Sequence, residues 1–266
     1  MTVDPGKSKT VLVIHGVQTG KDEGQNQHIT IKELLENRLG DIPLEYDTDI
    51  YRYENINDQA QSKYRKLNKY FNLTSIATYL PDKAIDLIGD VVTARQDTST
   101  AAQIRKGFKQ KILQIFENGN PCYIVAHSLG TIYAFDVINE LIADNRFFDR
   151  TSRRNWPVQG LVTVGSPLGI SMFKKSRTKV SPLGVGTKWL RWLNYWDRTD
   201  PVVSGAIFGK SLRGYHIAEK YLNASPKQGW VIRDIPVDTG KTWLLAHVAY
   251  WENPMVGEGL IDLMLN

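Results

Sequence analysis

The most informative part of this sequence is one continuous stretch, Tyr123-Ile124-Val125-Ala126-His127-Ser128-Leu129-Gly130-Thr131-Ile132-Tyr133-Ala134-Phe135. It begins with an apolar run that is typical of a buried strand, and it ends in a pattern that favours a helix. Ser128 stands where one pattern gives way to the other, and the residues two positions away on each side, Ala126 and Gly130, are small. A tight turn brings those two positions close together, so bulky side chains would collide there. The pattern predicts a nucleophile elbow, in which the Ser128 hydroxyl projects above the sheet.

Strand-like runs recur on both sides of this stretch and alternate with helical patterns. Apolar and β-branched runs predict strands at 10–14, 44–53, 122–126, 160–165, 189–196 and 230–237. Apolar spacing predicts helices at 29–39, 76–94, 101–116, 129–143, 243–251 and 259–265. Such alternation is typical of a parallel sheet with helices on both faces. We expect one α/β domain over residues 1–266, with a helical insertion at 55–119 before the elbow and an irregular excursion or lid at 170–188.

The composition is that of an ordinary globular protein. Hydrophobic residues make up 42% of the chain and charged residues 23%, and no apolar run is long enough to cross a bilayer. The N-terminal residues have no apolar core of the kind that a secretion signal needs, so we expect a cytoplasmic location. The net charge of +5 is mild and spread along the chain, and no nucleic-acid-binding module is recognisable, so no nucleic acid is expected as a partner.

Neither a cofactor nor a metal is expected. The stretch 165–169 follows a predicted strand but lacks the Gly-x-Gly-x-x-Gly spacing of dinucleotide sites, and Pro167 has no amide hydrogen to offer a pyrophosphate. Cys122 has no partner for an internal disulfide and is expected in the core. The histidines show no metal-ligand spacing; they are His15, His28, His127, His216 and His247.

A serine nucleophile needs a histidine base, which in turn needs a carboxylate. Of the two histidines that follow Ser128, His247 comes after the last predicted strand and is our candidate base, whereas His216 lacks a preceding strand and fits a packing or surface role. For the acid we favour Asp200, which precedes Pro-Val-Val, and Asp197 remains the alternative.

Acyl transfer also needs two backbone amides that point at the oxyanion. One would come from Leu129, directly after the nucleophile, and the other from Val17, in the loop after the first strand. Gly16 lets that loop bend, and His15 is expected to hydrogen-bond within it. His127 is expected to turn its side chain away from the reacting hydroxyl.

With these residues in view, the chain resembles the α/β-hydrolase superfamily, in particular the lipase-like branch of GPI-inositol deacylases, serine esterases and phospholipases. The resemblance is carried by residues 11–17, 126–130, 163–168 and 194–203 and by His247 with Tyr250 and Trp251. It implies a triad of Ser128, Asp200 and His247, with Val17 and Leu129 as the oxyanion hole. Strand pattern begins near residue ten, which leaves no room for two leading antiparallel strands, so we expect a reduced α/β-hydrolase fold of about six mostly parallel strands.

The triad does not identify the substrate, which we expect to be a carboxylic ester, including esters of lipids. The apolar positions at 73–92 fit either core packing or a lid that meets an acyl chain. A basic cluster in the excursion suggests peripheral contact with an anionic membrane surface; its members are Lys174, Lys175, Arg177 and Lys179. The alternative function is a catalytically silent hydrolase-fold protein that binds a partner. The sequence makes no prediction about oligomeric state.

Overall fold

The computed structural model describes residues 2–16, 26–53, 99–144, 146–147, 156–170, 190–206, 217 and 230–266. Several sequence predictions lie outside the described residues. These are the oxyanion amide of Val17, the helix at 76–94, the role of His216, and the excursion with its basic cluster at 171–188.

The described strands form a single six-stranded sheet in the order β2-β1-β3-β4-β5-β6, and every neighbouring pair is parallel. The strands are β1 (Lys9–Ile14), β2 (Tyr46–Tyr51), β3 (Cys122–His127), β4 (Val158–Val164), β5 (Leu190–Trp196) and β6 (Trp230–Pro236). Their ends differ from the predicted ones by no more than two residues. The expected fold class, a reduced α/β-hydrolase fold of about six mostly parallel strands, is confirmed.

Helices connect the strands and follow the last one. They are α1 (Gln27–Leu39), α2 (Ser99–Glu117), α3 (Gly130–Ile142), α4 (Pro201–Ser204), α5 (Leu244–Val248) and α6 (Pro254–Leu265). In the residues that the structure describes, two short 3-10 helices cover Pro167–Gly169 and Ala249–Glu252. Of the predicted insertion at 55–119, the described part forms α2. None of the helices in the described parts of the chain is long and apolar enough to cross a membrane.

Successive residues of the buried strands point to opposite faces of the sheet, and each face carries its own core. On one face Leu12 and Ile14 pack with the apolar sides of α2 and α3. On the other face Val11 and Val13 pack with α1 and α6. Helices therefore cover both faces, which explains why the central strands β3 and β4 are buried along their whole length and do not alternate between buried and exposed residues.

The buried Cys122 lies at the start of β3, between β1 and β4. Burial raises the pKa of its thiol, so Cys122 is an apolar core residue as expected. Because all strands are parallel, their carboxyl ends meet along one edge of the sheet, where polar residues from distant parts of the sequence come together.

Candidate active site

Ser128 follows the last residue of β3 and has a φ angle of +52°. This left-handed conformation is uncommon for a residue with a side chain, and such strain is typical of functional turns. The amide of Ser128 donates to the carbonyl of Val164 at 3.1 Å, which holds the turn against the end of β4. Helix α3 begins at Gly130, so the turn from strand to helix takes place within two residues.

Two glycines allow the first strand to approach this turn. A Cβ atom at Gly16 would lie 2.5 Å from the Cβ of Ser128 and 3.0 Å from its hydroxyl oxygen. A Cβ at Gly130 would lie 2.6 Å from the carbonyl oxygen of Ile14 and 2.5 Å from that of His15. The atoms nearest to a Cβ at position 130 thus belong to Ile14 at the end of β1 and to His15 directly after it.

The structure brings Ser128 and His247 together, although 119 positions separate them in the sequence. The hydroxyl oxygen of Ser128 lies 2.8 Å from Nε2 of His247, and Nδ1 of His247 lies 2.9 Å from Oδ2 of Asp200. All three side chains are buried. The geometry fits a neutral imidazole that donates its Nδ1 hydrogen to Asp200 and accepts the serine proton at Nε2.

Asp200 is fixed by the helix that it begins. It is the N-cap of α4, and its Oδ1 accepts hydrogen bonds from the amides of Val202 at 2.8 Å and Val203 at 3.4 Å. Pro201 occupies the first helical position, where a missing amide hydrogen costs nothing. The capping bonds leave Oδ2 to face His247, so the carboxylate is oriented before any substrate binds.

The alternative acid, Asp197, has different partners. Its carboxylate accepts hydrogen bonds from both the amide and the hydroxyl of Thr199 and of Thr239, at 2.6 to 2.8 Å. Burial raises the pKa of Asp197, but these hydrogen bonds outweigh it and hold the pKa below its usual value. Asp197 therefore joins the start of α4 to the loop after β6, and Asp200 is the carboxylate that contacts His247.

His127 packs directly against the imidazole of His247, with the two ring centres 4.7 Å apart. Its Nε2 donates to the backbone carbonyl of His247 at 2.7 Å, and the indole of Trp251 lies edge-on at 5.2 Å. This side chain therefore packs against the candidate base. Its orientation away from the hydroxyl of Ser128 stays a prediction. Burial lowers the pKa of His127 well below its usual value, and the neighbouring His247 adds to the effect.

Two hydroxyls, those of Thr131 and Ser166, hold the turn at Ser128. The hydroxyl of Thr131 donates to the backbone carbonyl of Ser128 at 2.6 Å and lies 2.8 Å from the hydroxyl of Ser166. Ser166 in turn caps the 3-10 helix at Pro167–Gly169 by accepting from the amide of Leu168. The Gly-Ser-Pro turn after β4 is thereby linked to the tight turn at Ser128 after β3.

Leu129 is the N-cap residue of α3, and the structure shows no acceptor for its amide among the described residues. An amide at this position is one of the unpaired donors that every helix start presents. The start of the loop after β1 is held by His15, whose Nδ1 contacts the carbonyl of Gly16 and whose ring stacks on Tyr53 with the ring centres 5.1 Å apart. His15 therefore bonds within its loop, in line with the sequence interpretation.

Sequence reasoning gave no role to Tyr250 beyond the resemblance. The structure places its hydroxyl 2.9 Å from Oδ2 of Asp200. A tyrosine three positions after a histidine carries no recognisable signature, so only the spatial arrangement reveals it. Within the described parts of the chain, no group of three or more potential ligands could hold a metal ion.

No protein-family model matches the chain, and no curated protein matches it. Among solved structures it is similar to TT1662 from Thermus thermophilus, with 10% identity and a TM-score of 0.45 over 99% of this chain and 90% of that chain. It is also similar to phospholipase PlaB from Legionella pneumophila, with 12% identity and a TM-score of 0.40 over 79% of this chain. The match spans 42% of PlaB, less than half of that protein.

The assignment of the fold follows from the chain's own features: six parallel strands in a defined order, helices on both faces, and a tight turn with positive φ after β3. The relation to the GPI-inositol deacylase branch stays a prediction from the sequence. The chain has an α/β-hydrolase-like fold.

Proposed function

We propose that this protein is a serine hydrolase that cleaves a carboxylic ester through Ser128, His247 and Asp200. The observation that supports the proposal is the continuous chain of short contacts from the Ser128 hydroxyl through His247 to Asp200, all buried at the carboxyl edge of the sheet. Contacts in the order serine, histidine, aspartate, with the serine on a strained turn, are the arrangement that serine hydrolases use for acyl transfer.

In the first half of the reaction His247 takes the hydroxyl proton of Ser128 at Nε2 while Oγ attacks the ester carbonyl carbon. Asp200 stabilises the imidazolium that forms. The tetrahedral oxyanion accepts a hydrogen bond from the amide of Leu129 and, as the sequence predicts, from that of Val17. The intermediate collapses when His247 returns the proton to the leaving alcohol, and an acyl group remains on Ser128.

In the second half a water molecule gives its proton to Nε2 of His247 and attacks the acyl carbon. A second tetrahedral intermediate breaks down as His247 protonates Oγ of Ser128, which releases the carboxylic acid and restores the enzyme. The two halves consume one ester and one water and yield one alcohol and one acid. This route needs neither a metal nor a cofactor.

We further propose that the ester carries an apolar acyl chain, as a lipid does. Three large apolar side chains lie exposed close to His247 in the sequence: Trp243 is 45% exposed, Leu245 64% and Val248 54%. Leu245 and Val248 are three residues apart on α5 and share one helix face. Exposed apolar groups beside a catalytic base favour a substrate or a surface that covers them.

A fluorophosphonate probe tests the proposal, because it reacts covalently with an activated serine. We expect the wild-type protein to be labelled on Ser128 and the Ser128→Ala variant to be unlabelled, with ester hydrolysis reduced at least about 1000-fold. Ser204→Ala, which removes a partly exposed serine at the end of α4, is the control and should be labelled like the wild type.

If folded wild-type protein is not labelled, the proposed activity is wrong and the alternative of a silent binding protein is favoured. Circular dichroism and thermal unfolding of the same samples show whether they are folded. Labelling that persists in Ser128→Ala would mean that another residue is the nucleophile.

A further inference from the structure

Tyr250 lies in the 3-10 helix Ala249–Glu252 that follows α5, and its side chain is completely buried. Its hydroxyl takes part in two hydrogen bonds with the segment that carries Asp197 and Asp200. It donates to Oδ2 of Asp200 at 2.9 Å, and it accepts from the backbone amide of Asp197 at 2.8 Å.

The second bond determines the direction of the first. A phenol has one proton, and an amide N–H is a donor that offers no lone pair. Because the amide of Asp197 fills an acceptor position on the oxygen of Tyr250, the phenol proton is left to point at Asp200. Burial, and then the charge of Asp200, raise the pKa of Tyr250 far above its usual value, so the phenol is a neutral donor near neutral pH.

Oδ2 of Asp200 is thus shared between two donors, Nδ1 of His247 and the hydroxyl of Tyr250. We infer that Tyr250 is a positioning residue of the active site, which fixes the orientation of Asp200 and takes part of its negative charge away from His247. The inference rests on the function proposed above and adds a fourth residue to that site.

The packing around Gly165 joins the two donors. Gly165 has a φ angle of +57°, and a Cβ atom there would lie 3.0 Å from both Nδ1 of His247 and Cε2 of Tyr250. The imidazole and the phenol therefore rest on the same backbone position at the end of β4. A side chain at position 165 would crowd both rings, so glycine at this position lets the imidazole and the phenol lie side by side next to Asp200.

A carboxylate without the Tyr250 hydrogen bond keeps more negative charge for the imidazole, which favours the protonated form of His247. That form does not accept the proton of Ser128. In Tyr250→Phe we therefore expect the acidic limb of the pH profile of kcat/KM to move to higher pH by about half a unit to one unit. With one of its restraints gone, Asp200 also orients His247 less well, so kcat should fall about tenfold while KM changes less than about twofold.

The experiment measures hydrolysis of a soluble short-chain ester between pH 5 and 9, together with the rate of fluorophosphonate labelling. The matched control is Tyr51→Phe, because the hydroxyl of Tyr51 also donates one hydrogen bond, to the carbonyl of Ile104 on α2 at 3.1 Å and not to a residue of the proposed triad. Tyr51→Phe should leave both the pH profile and kcat unchanged.

A Tyr250→Phe variant with the wild-type pH profile would overturn the inference, and so would a loss of kcat without a shift of the acidic limb, which would indicate a purely structural role. If this variant does not fold, Tyr250→3-fluorotyrosine tests the same point with nearly the same shape. The fluorinated phenol is a stronger donor, so the limb should move to lower pH, and an unmoved limb would overturn the inference.

The proposed function and this inference fail in different ways. Wild-type protein that is not labelled on Ser128 would overturn both. Wild-type protein that is labelled, with variants at position 250 that match it at every pH, would overturn only the role of Tyr250.

Discussion

Gly16 shows how much the candidate nucleophile depends on the loop that faces it. The sequence suggested that this glycine serves a bend in the chain, yet its φ angle lies outside the left-handed region. What requires glycine is the close approach of Ser128, since a Cβ atom would lie 2.5 Å from the Cβ of that residue. There is no space for a methyl group between Gly16 and Ser128, so the backbone at one of these two residues has to move when a methyl group is added to Gly16.

Replacement of Gly16 by alanine should therefore displace either Ser128 or the loop after β1 that contains Gly16. We expect the rate of fluorophosphonate labelling to fall at least about tenfold, because small displacements of a nucleophile are costly. The free energy of unfolding should fall by about 1 to 3 kcal/mol, as is usual when a packed site is overfilled. Labelling kinetics and urea unfolding measure the two effects.

Gly6→Ala is the control for this variant. Gly6 is exposed, and the nearest atom to an added Cβ, the Oδ1 of Asp4, lies at 3.3 Å on a flexible side chain. Both quantities should stay close to the wild-type values there. A Gly16→Ala protein with wild-type labelling and stability would show that the loop yields freely and that the contact has no importance.

The tight turn at Ser128 could be predicted from sequence because its sterics are local: a strand run, a serine and small neighbours all stand within a few positions. The choice between Asp197 and Asp200 could not be settled in the same way. Both follow β5, and what separates them is that Asp200 caps α4 while Thr199 and Thr239 bind Asp197. Thr199 and α4 are local to these carboxylates, but Thr239 and His247 come from distant segments, and the sequence does not show which carboxylate each of them meets.

At the scale of elements, the strands were predictable and the last helices less so. The apolar pattern predicted a helix from 259 onward, whereas α6 begins at Pro254 with Asn253 as its N-cap. Asn-Pro is a regular helix start, but the glycines that follow read as helix breakers. A Cβ at Gly257 would lie 2.8 Å from Cγ of Leu34, so this glycine permits close packing of α6 on α1.

The predicted helix at 243–251 is in fact two short pieces, α5 and the 3-10 helix after it. The break leaves His247 and Tyr250 buried while Leu245 and Val248 stay exposed. Trp243, which precedes α5, has a φ angle of +57°, an uncommon conformation for a bulky residue. A strained, apolar and exposed segment that carries the candidate base is suited to meeting an apolar substrate.

If this segment binds acyl chains, Leu245→Ser together with Val248→Ser should weaken hydrolysis of a long-chain ester about tenfold or more, since each buried aliphatic side chain contributes about 1.5 kcal/mol or more. Hydrolysis of a short-chain ester should change less than twofold, because His247 is left in place. The ratio of kcat/KM values for the two esters is the measurement.

Met255→Ser serves as the control, since Met255 is 43% exposed but lies on α6 rather than on α5. It should leave the ratio unchanged. Equal losses on both esters in the α5 variant would mean that the substitutions disturb His247, and no loss on either would contradict the proposed acyl contact.

For the whole molecule, the sheet order explains why one site gathers residues from the entire chain. Strands β1, β3, β4 and β5 are neighbours, and the loops at their carboxyl ends supply Gly16, Ser128, Gly165 and Asp200. His247 arrives only after β6. The alternation of strands and helices predicted a parallel sheet, but strand order, and hence which loops meet, depends on long-range packing that periodicity does not encode.

The burial of His127 in this arrangement links the stability of the fold to pH. The pKa of His127 lies well below its usual value in the folded protein, chiefly through burial and then through the neighbouring His247, so the unfolded chain binds a proton more readily. Stability from the neutral ring is therefore fully present above about pH 6.5 and is lost as the pH falls below it, by at most about 1.4 kcal/mol per pH unit.

His127→Gln keeps a donor for the carbonyl of His247 but does not titrate, so its free energy of unfolding should fall less steeply than that of the wild type between pH 6.5 and 5. Urea unfolding at half-unit intervals measures both slopes, and His28→Gln, at a partly exposed histidine, should change the slope less. Parallel slopes for the wild type and His127→Gln would show that His127 is protonated as easily in the folded protein as in the unfolded chain.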